Sequence, residues 1–260
     1  MLRSLSTAST GMAAQQMNMD VIANNLANAS TTGFKKSRGN FEDLMYEKVQ
    51  MPGSETTSNS RIPTGTQVGM GAKTVSVEKV FNQGTFTQTS NSLDVAIEGR
   101  GFFKILRGSD EVYTRAGAFK MDKDGAVVDA QGNKLQPEIT VPKTTTTITI
   151  DSGGTVTCTD ATGKTVGTNN LRLYDFPNPA GLVSSGHNYF VASESSGDVT
   201  EGEPGSEQYG TLMQGYLEAS NISVVEEMVN MIMSQRAYEA NSKIIKTADE
   251  MLRMANNVQG

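Results

Sequence analysis

The sequence predicts an α+β chain: long N- and C-terminal helices paired as a coiled coil, with an all-β domain inserted between them. Three observations carry this reading. Residues 217–258 hold no Gly and no Pro, in a chain that has 26 Gly. Residues 1–29 carry a seven-residue apolar repeat of their own. Between the two ends lies a long stretch of alternating apolar and polar residues punctuated by glycine turns.

The C-terminal stretch is crowded with Val224, Val225, Met228, Val229, Ile232 and Met233. From Ala237 onward the spacing settles into four and three: Ala237, Asn241, Ile244, Ala248, Met251, Ala255, Val258. That is the seam of a coiled coil with one polar member. A helix of this length spans ~60 Å at ~1.5 Å per residue. Its stripe therefore needs a long partner. Ser220 or Asn221 reads as the N-cap, with Glu226 and Glu227 favouring the positive end of the helix. The five methionines Met228, Met231, Met233, Met251 and Met254 suit adaptable apolar packing.

The N-terminal stretch supplies that partner. Leu5, Met12, Met19 and Leu26 recur every seven residues, and Ala8, Gln15, Ile22 and Ala29 fill the second position. The seam residues expected on this side are Leu5, Met12, Met19, Ile22 and Leu26. Gly11 costs the helix about 1 kcal/mol relative to Ala. Between Ser4 and Phe34 the only charged side chain is Asp20; the polar face consists of Gln15, Gln16, Asn18, Asn24, Asn25 and Asn28. Amides and small hydroxyls where a solvated helix carries Lys and Glu predict contact with other protein on several sides, and disorder of the isolated ends. The helix stops at Gly33 in a left-handed conformation, and Phe34 anchors the exit.

Residues 40–48 form a short amphipathic piece around Phe41, Leu44 and Met45, and residues 50–72 read as a long extended loop, often a functional feature. Leu93, Val95 and Ile97 then alternate as a strand. Further strands are expected at 111–114, 118–121, 126–128, 144–150, 155–159 and 171–176. Turns fall at Asp124-Gly125, Gln131-Gly132-Asn133, Ser152-Gly153-Gly154 and Thr162-Gly163-Lys164. Residues 191–216 are loop-rich and acidic.

Composition excludes several functions. A formal net charge of -6, no Trp and no long basic run predict no nucleic-acid partner. No apolar run approaches the ~20 residues of a membrane span, so no membrane insertion is expected. Gln15, Gln16, Asn18 and Asp20 interrupt any signal-peptide core. Cys158 and His187 each stand alone, so no disulfide, His pair or metal cluster is expected. Asp122, Asp124 and Asp129 lack the third Asp and closing Glu of a calcium loop, and a β-turn explains them better. Gly99-Arg100-Gly101 is too short for a nucleotide fingerprint. The expectation is no enzyme: no catalytic, cofactor-binding or metal residue, and no cofactor.

Three blocks resemble one family, the bacterial flagellar rod and hook axial proteins. They are ANNLANASTTGFKK at 23–36, SLDVAIEGRGFF at 92–103 and LEASNISVVEEMVNMIMSQRAYEANSKIIKTADEML at 217–252. The first holds the signature residues Asn24, Asn25, Leu26, Ala27, Asn28, Gly33 and Phe34. The resemblance implies a three-layer organisation. Residues 1–32 and 220–260 would form an inner helical tube, 33–75 and 190–219 a middle linking domain, and 76–189 a β-rich outer domain. The 46–63 stretch, with Tyr46, Pro52, Gly53 and Pro63, resembles the extra segment that separates the distal rod type from the hook type and stiffens the tube. The implied function is that of a structural subunit of the distal rod, a straight rigid hollow drive shaft in the basal body. It would pass torque to the hook and exported subunits through its lumen. Implied partners are copies of the chain in a helical tube, proximal rod proteins below, the hook protein above, the P-ring and L-ring around it, and the flagellar type III export apparatus. The implied location is a rod spanning the periplasm to the outer membrane. A hook subunit, a proximal rod subunit and a secreted coiled-coil adhesin are the alternatives.

Overall fold

The structure, a computed structural model, describes residues 2–51, 55–57, 60–61 and 64–258. Pro52, Gly53 and Pro63 lie outside the described residues. The chain divides into two compact units. One comprises residues 1–26, 37–78 and 224–260, and the other residues 27–36 and 79–223.

The first unit holds both helices, α1 (Leu2–Ala27) and α2 (Val224–Val258). The start of α2 differs from the sequence expectation. Ser220 and Asn221 lie upstream of it, and Ser223 takes the position before the first helical residue. The reason is that the Asn221 side chain is engaged elsewhere. Its Oδ1 accepts from the Lys36 N–H at 2.8 Å, and its Nδ2 donates to Val80 O at 2.8 Å.

Residues 40–72 also depart from expectation. The described residues of this range fall largely in paired antiparallel strands rather than in an amphipathic piece followed by a loop. Ser37–Asp43 pairs with Ala72–Lys79, Tyr46–Gln50 with Thr66–Gly69, and Glu55–Thr57 with Ser60–Arg61. The partners Tyr46↔Gly69 and Glu47↔Val68 fix an antiparallel register in the middle. Nearer the base, Arg38 bonds Glu78 at 2.5 Å and Asn40 bonds Ser76 at 3.3 Å. Side chains alternate across a ribbon. Met45 therefore shares a face with Val68 and Met70, and all three are exposed; the register shifts between Lys48 and Gln50, at the exposed Val49.

The second unit is built on an antiparallel seven-stranded sheet. Its strand order is Lys120–Met121, Val127–Val128, Lys134–Gln136, Phe103–Arg107, Asp110–Thr114, Tyr189–Val191, Val183–Ser184. A three-stranded sheet of Thr147–Ile150, Thr155–Thr159 and Thr165–Asn170 accompanies it. The expected turns form, with Gly125, Gly132, Gly154 and Gly163 all at positive φ.

Strand alternation divides the core of this unit in two. Phe103, Val112, Leu173 and Tyr189 enter an aliphatic cluster. Their immediate neighbours Phe102, Tyr113, Tyr174 and Phe190 enter an aromatic one. The Phe102/Phe103, Val112/Tyr113 and Tyr189/Phe190 doublets thus feed both faces of the sheet, and Leu173/Tyr174, on a strand paired with Thr200–Gly202, divides in the same way. The aromatic rings meet edge to face, Tyr113 and Phe176 at 4.8 Å between centroids, which adds to the stabilisation from burial alone.

The two ends of the second unit's chain meet beside this core. Tyr216–Glu218, the last strand before α2, pairs with Phe86–Gln88.

Candidate functional site

The terminal arms are held by a small set of side chains at the exit from α1 and the approach to α2. The N-terminal arm leaves α1 through a turn in which Thr31 N–H donates to Asn28 O at 3.1 Å. Gly33 follows at φ +69°, the left-handed conformation expected from the sequence. A Cβ at Gly33 would lie 2.6 Å from the Ala116 backbone nitrogen, so only Gly fits. The Gly33 N–H donates to Glu218 O at 2.8 Å. Phe34 is buried, and the Lys79 ammonium lies 4.3 Å from its ring centroid.

Lys35 comes next, and its side chain has no exposed surface. Its Nζ donates to Glu218 Oε1 at 2.6 Å and to Asn82 O at 2.9 Å. The same carboxylate oxygen accepts from the Gly84 N–H at 3.0 Å. Arg115 Nη1 lies 3.6 Å from Glu218 Oε2, while Arg115 Nη2 donates to Gly99 O at 2.7 Å. Two buried cations therefore share one buried carboxylate. Burial pulls the Lys35 ammonium below its ordinary value, and the Glu218 charge opposes that fall. The sequence offers no periodicity that marks these three residues, because charged side chains read as surface.

Asn25, of the signature block, bonds both the start of the ribbon and α2. It is buried near the end of α1, with Nδ2 donating to Ser37 O and Oδ1 accepting from Ser37 N–H, both at 2.8 Å. The pair of bonds pins the start of the ribbon to the helix. Asn25 Nδ2 also lies 3.4 Å from Glu227 Oε2 on α2. One heptad back, Asn18 Nδ2 donates to Ser234 Oγ at 2.8 Å. One heptad further, Gly11 faces Asn241, whose Nδ2 would be 2.9 Å from a Cβ at that position. These contacts climb α1 while descending α2, so the helices run antiparallel where they touch.

Other residues singled out from the sequence have structural places. Cys158 is fully buried in the aliphatic core, and burial pushes its thiol up from the usual range. Asp129 accepts from the N–H groups of Gln131 and Asn133 and from the Tyr189 hydroxyl, which makes it the cap of a turn. Tyr46 is half exposed and stands across the ribbon from Gly69. Among the described residues, no group of three His, Cys, Asp or Glu could hold a metal ion.

The chain matches three family profiles. Residues 5–35 match "Flagella basal body rod protein", residues 96–158 "Flagellar hook protein FlgE/F/G D1 domain", and residues 213–258 "Flagellar basal body rod FlgEFG protein C-terminal". It is 46% identical to the flagellar basal-body rod protein FlgG of Borreliella burgdorferi, over 100% of this chain and 99% of the relative. It is 44% identical to FlgG of Caulobacter vibrioides, over 99% and 100%. With FlgG of Bacillus subtilis it shares 36%, over the full length of both.

The chain belongs to the FlgG family of flagellar basal-body rod proteins.

Lys35, Arg115 and Glu218 fall one in each of the three matched stretches, so the buried cluster joins regions that the family profiles treat separately. On the FlgG-family arms, Ile22 is buried and Leu5, Met12, Met19 and Leu26 are half-buried. Ala248 is buried and Ala237 half-buried. Ile244, Met251 and Ala255 are exposed, Ile244 at 48%. The stripe of α2 that meets α1 runs through Glu227, Ser234 and Asn241; Asn241 belongs to the seam read from the sequence, and Glu227 and Ser234 do not. The opposite surface exposes Val225 at 74% and Met233 at 64%.

Proposed function

We propose that this chain is a structural subunit of the flagellar distal rod, polymerising into a straight, rigid, hollow shaft that carries torque from motor to hook. The observation that carries the reading is the pairing of α1 and α2 along a polar stripe while the apolar side of α2 stays uncovered. An exposed apolar face of this kind on a helix normally marks a contact with another protein surface. Burial of apolar surface contributes about 25 cal/mol per Å², and helical symmetry repeats each contact along a polymer.

In this reading the two helices pair as a coiled coil and form the inner tube with residues 1–32 and 220–260. Residues 33–75 and 190–219 form the linking layer, and 76–189 the outer β domain. Leu5, Met12, Met19, Ile22, Leu26, Ala237, Ile244, Ala248, Met251 and Ala255 serve contacts within and between subunits. The exposed share of that set suits contacts with neighbouring copies. The 46–63 stretch, with Tyr46 and residues 52, 53 and 63, stiffens the shaft. The exposure of Tyr46 and Val49 supports this, since both offer apolar surface to a neighbour. The proposed partners are further copies of the chain, proximal rod proteins, the hook protein, the P-ring and L-ring, and the type III export apparatus. The proposed location is a periplasm-spanning rod that reaches the outer membrane. No enzymatic step is proposed.

The test is complementation of a strain that lacks its own distal rod subunit, followed by electron microscopy of isolated basal bodies. The wild-type chain should restore full-length rods. Val225→Asp/Met233→Asp should give a folded, secreted chain and truncated rods. Full-length rods from the double variant would reject α2 as an assembly surface.

A further inference from the structure

The three contacts between α1 and α2 share an arithmetic. Gly11 with Asn241, Asn18 with Ser234, and Asn25 with Glu227 are spaced seven residues apart on each helix, in opposite directions. Each pair is polar or lacks a side chain, and Asn25, Glu227 and Ser234 are all nearly inaccessible.

We infer that these three rungs form a register key: they fix which heptad of α1 lies against which heptad of α2. The inference rests on the proposed coiled-coil pairing. Its basis is complementarity of size and hydrogen bonding at each rung. Gly11 has no side chain, and Asn241 occupies the space a Cβ would need. Asn18 meets the small hydroxyl of Ser234, and the two form a bond of 2.8 Å. Asn25 offers its amide to the Glu227 carboxylate. A slide of one heptad in one direction moves Asn241 from Gly11 to Asn18. Two amides then crowd a site built for an amide and a hydroxyl. The same slide carries Glu227 from Asn25 to beyond the last residue of α1, Ala27, and leaves its carboxylate without that partner. The opposite slide sets Ser234 against Gly11, and neither group then fills the gap. Apolar contacts do not discriminate in this way, because a heptad slide replaces one Ala, Met or Ile by another. Buried polar positions are the known means by which coiled coils specify register at some cost in stability.

The test is a crosslinking assay on the full chain with a short thiol-specific reagent. Gln15→Cys/Ala237→Cys places two thiols in the inferred register, and Gln15→Cys/Ile244→Cys places them one heptad away. Neither pair touches a rung, and the native Cys158 is fully buried. In the native background the first pair should form an intrachain crosslink at least about tenfold more efficiently than the second. The same pairs are then placed in a chain with Glu227→Ala, Ser234→Ala and Asn241→Ala, which keeps helix-favouring residues at all three sites. There the ratio should fall to within about twofold. An unchanged ratio in the alanine background overturns the register key and leaves the pairing standing. A dominant shifted pair in the native background overturns the key as well. If neither pair crosslinks within one native chain, the coiled-coil pairing itself fails, and the key with it.

Discussion

Lys35 Nζ lies 2.6 Å from Glu218 Oε1, and neither side chain has any exposed surface. The two residues are 183 apart in sequence. One sits at the end of the N-terminal arm and the other just before α2, so the ion pair fastens the two routes by which the chain leaves the β-rich unit. Such a pair adds little net stability over a well-packed apolar one, but losing one partner strands the other charge.

Glu218→Gln should therefore destabilise the chain by about 3–5 kcal/mol, because both Lys35 and Arg115 lose their counter-charge. Urea unfolding with global fitting reads this as a lower midpoint at unchanged slope. Lys35→Met/Glu218→Leu should recover part of the loss, since only Arg115 is then uncompensated. A single variant within about 0.5 kcal/mol of wild type, the range of ordinary surface substitutions, would show that the pair is not buried in solution.

Gly33→Ala tests the same junction through the backbone. A left-handed conformation costs an L-residue roughly 1–2 kcal/mol, and the new Cβ meets backbone atoms of Arg115 and Ala116 that cannot swing aside. The melting temperature should fall by several degrees. Rod assembly should fall further, because the arm would leave the unit along a different path. A variant that melts and assembles as wild type would contradict the tight approach to Ala116.

The sequence made the terminal helices legible because helices advertise themselves by what they lack, and α1 and α2 lack internal Pro and carry a heptad repeat. It also placed Gly33 and the four glycine turns, where one residue type answers one backbone need. Of the α2 residues that meet α1, the apolar repeat includes Asn241 but not Ser234 or Glu227. Asn18, Asn25, Ser234 and Glu227 are polar, and a search for apolar periodicity lands about one position away, on Met12, Met19 and Leu26. The paired strands Ser37–Asp43 with Ala72–Lys79 and Tyr46–Gln50 with Thr66–Gly69 are illegible for a related reason. Their exposed faces carry mixed residues, and Gly and Thr within them read as loop. Lys35, Arg115 and Glu218 were illegible because the burial of a charge depends on a partner distant in sequence.

Alkaline pH supplies a prediction about the two cores of the β-rich unit. Burial pushes the Tyr113, Tyr174 and Tyr189 hydroxyls up to about 12 from an ordinary value of 10.0. Each ring is held neutral in the folded chain while the unfolded chain ionises. The resulting stability is fully present below pH 10 and is lost as pH rises through 12, at about 2–3 kcal/mol per ring. Circular dichroism should show cooperative unfolding in that window, with tyrosinate absorbance at 295 nm rising in step. Tyrosinate that appears well below the loss of structure would place these hydroxyls in solvent.

Ile244→Asp separates the stability of the chain from that of the polymer. Ile244 is 48% exposed in the single chain, so its replacement should change the melting temperature of the isolated subunit little. In the proposed tube the same position is covered by a neighbour, and an unpaired carboxylate buried there is strongly unfavourable. The expected outcome is a subunit that melts normally, is secreted normally and fails to support motility in soft agar. A large loss of monomer stability would mean that Ile244 packs within its own chain. Normal melting together with normal motility would remove it from every subunit contact, and with it this part of the α2 stripe as an assembly surface.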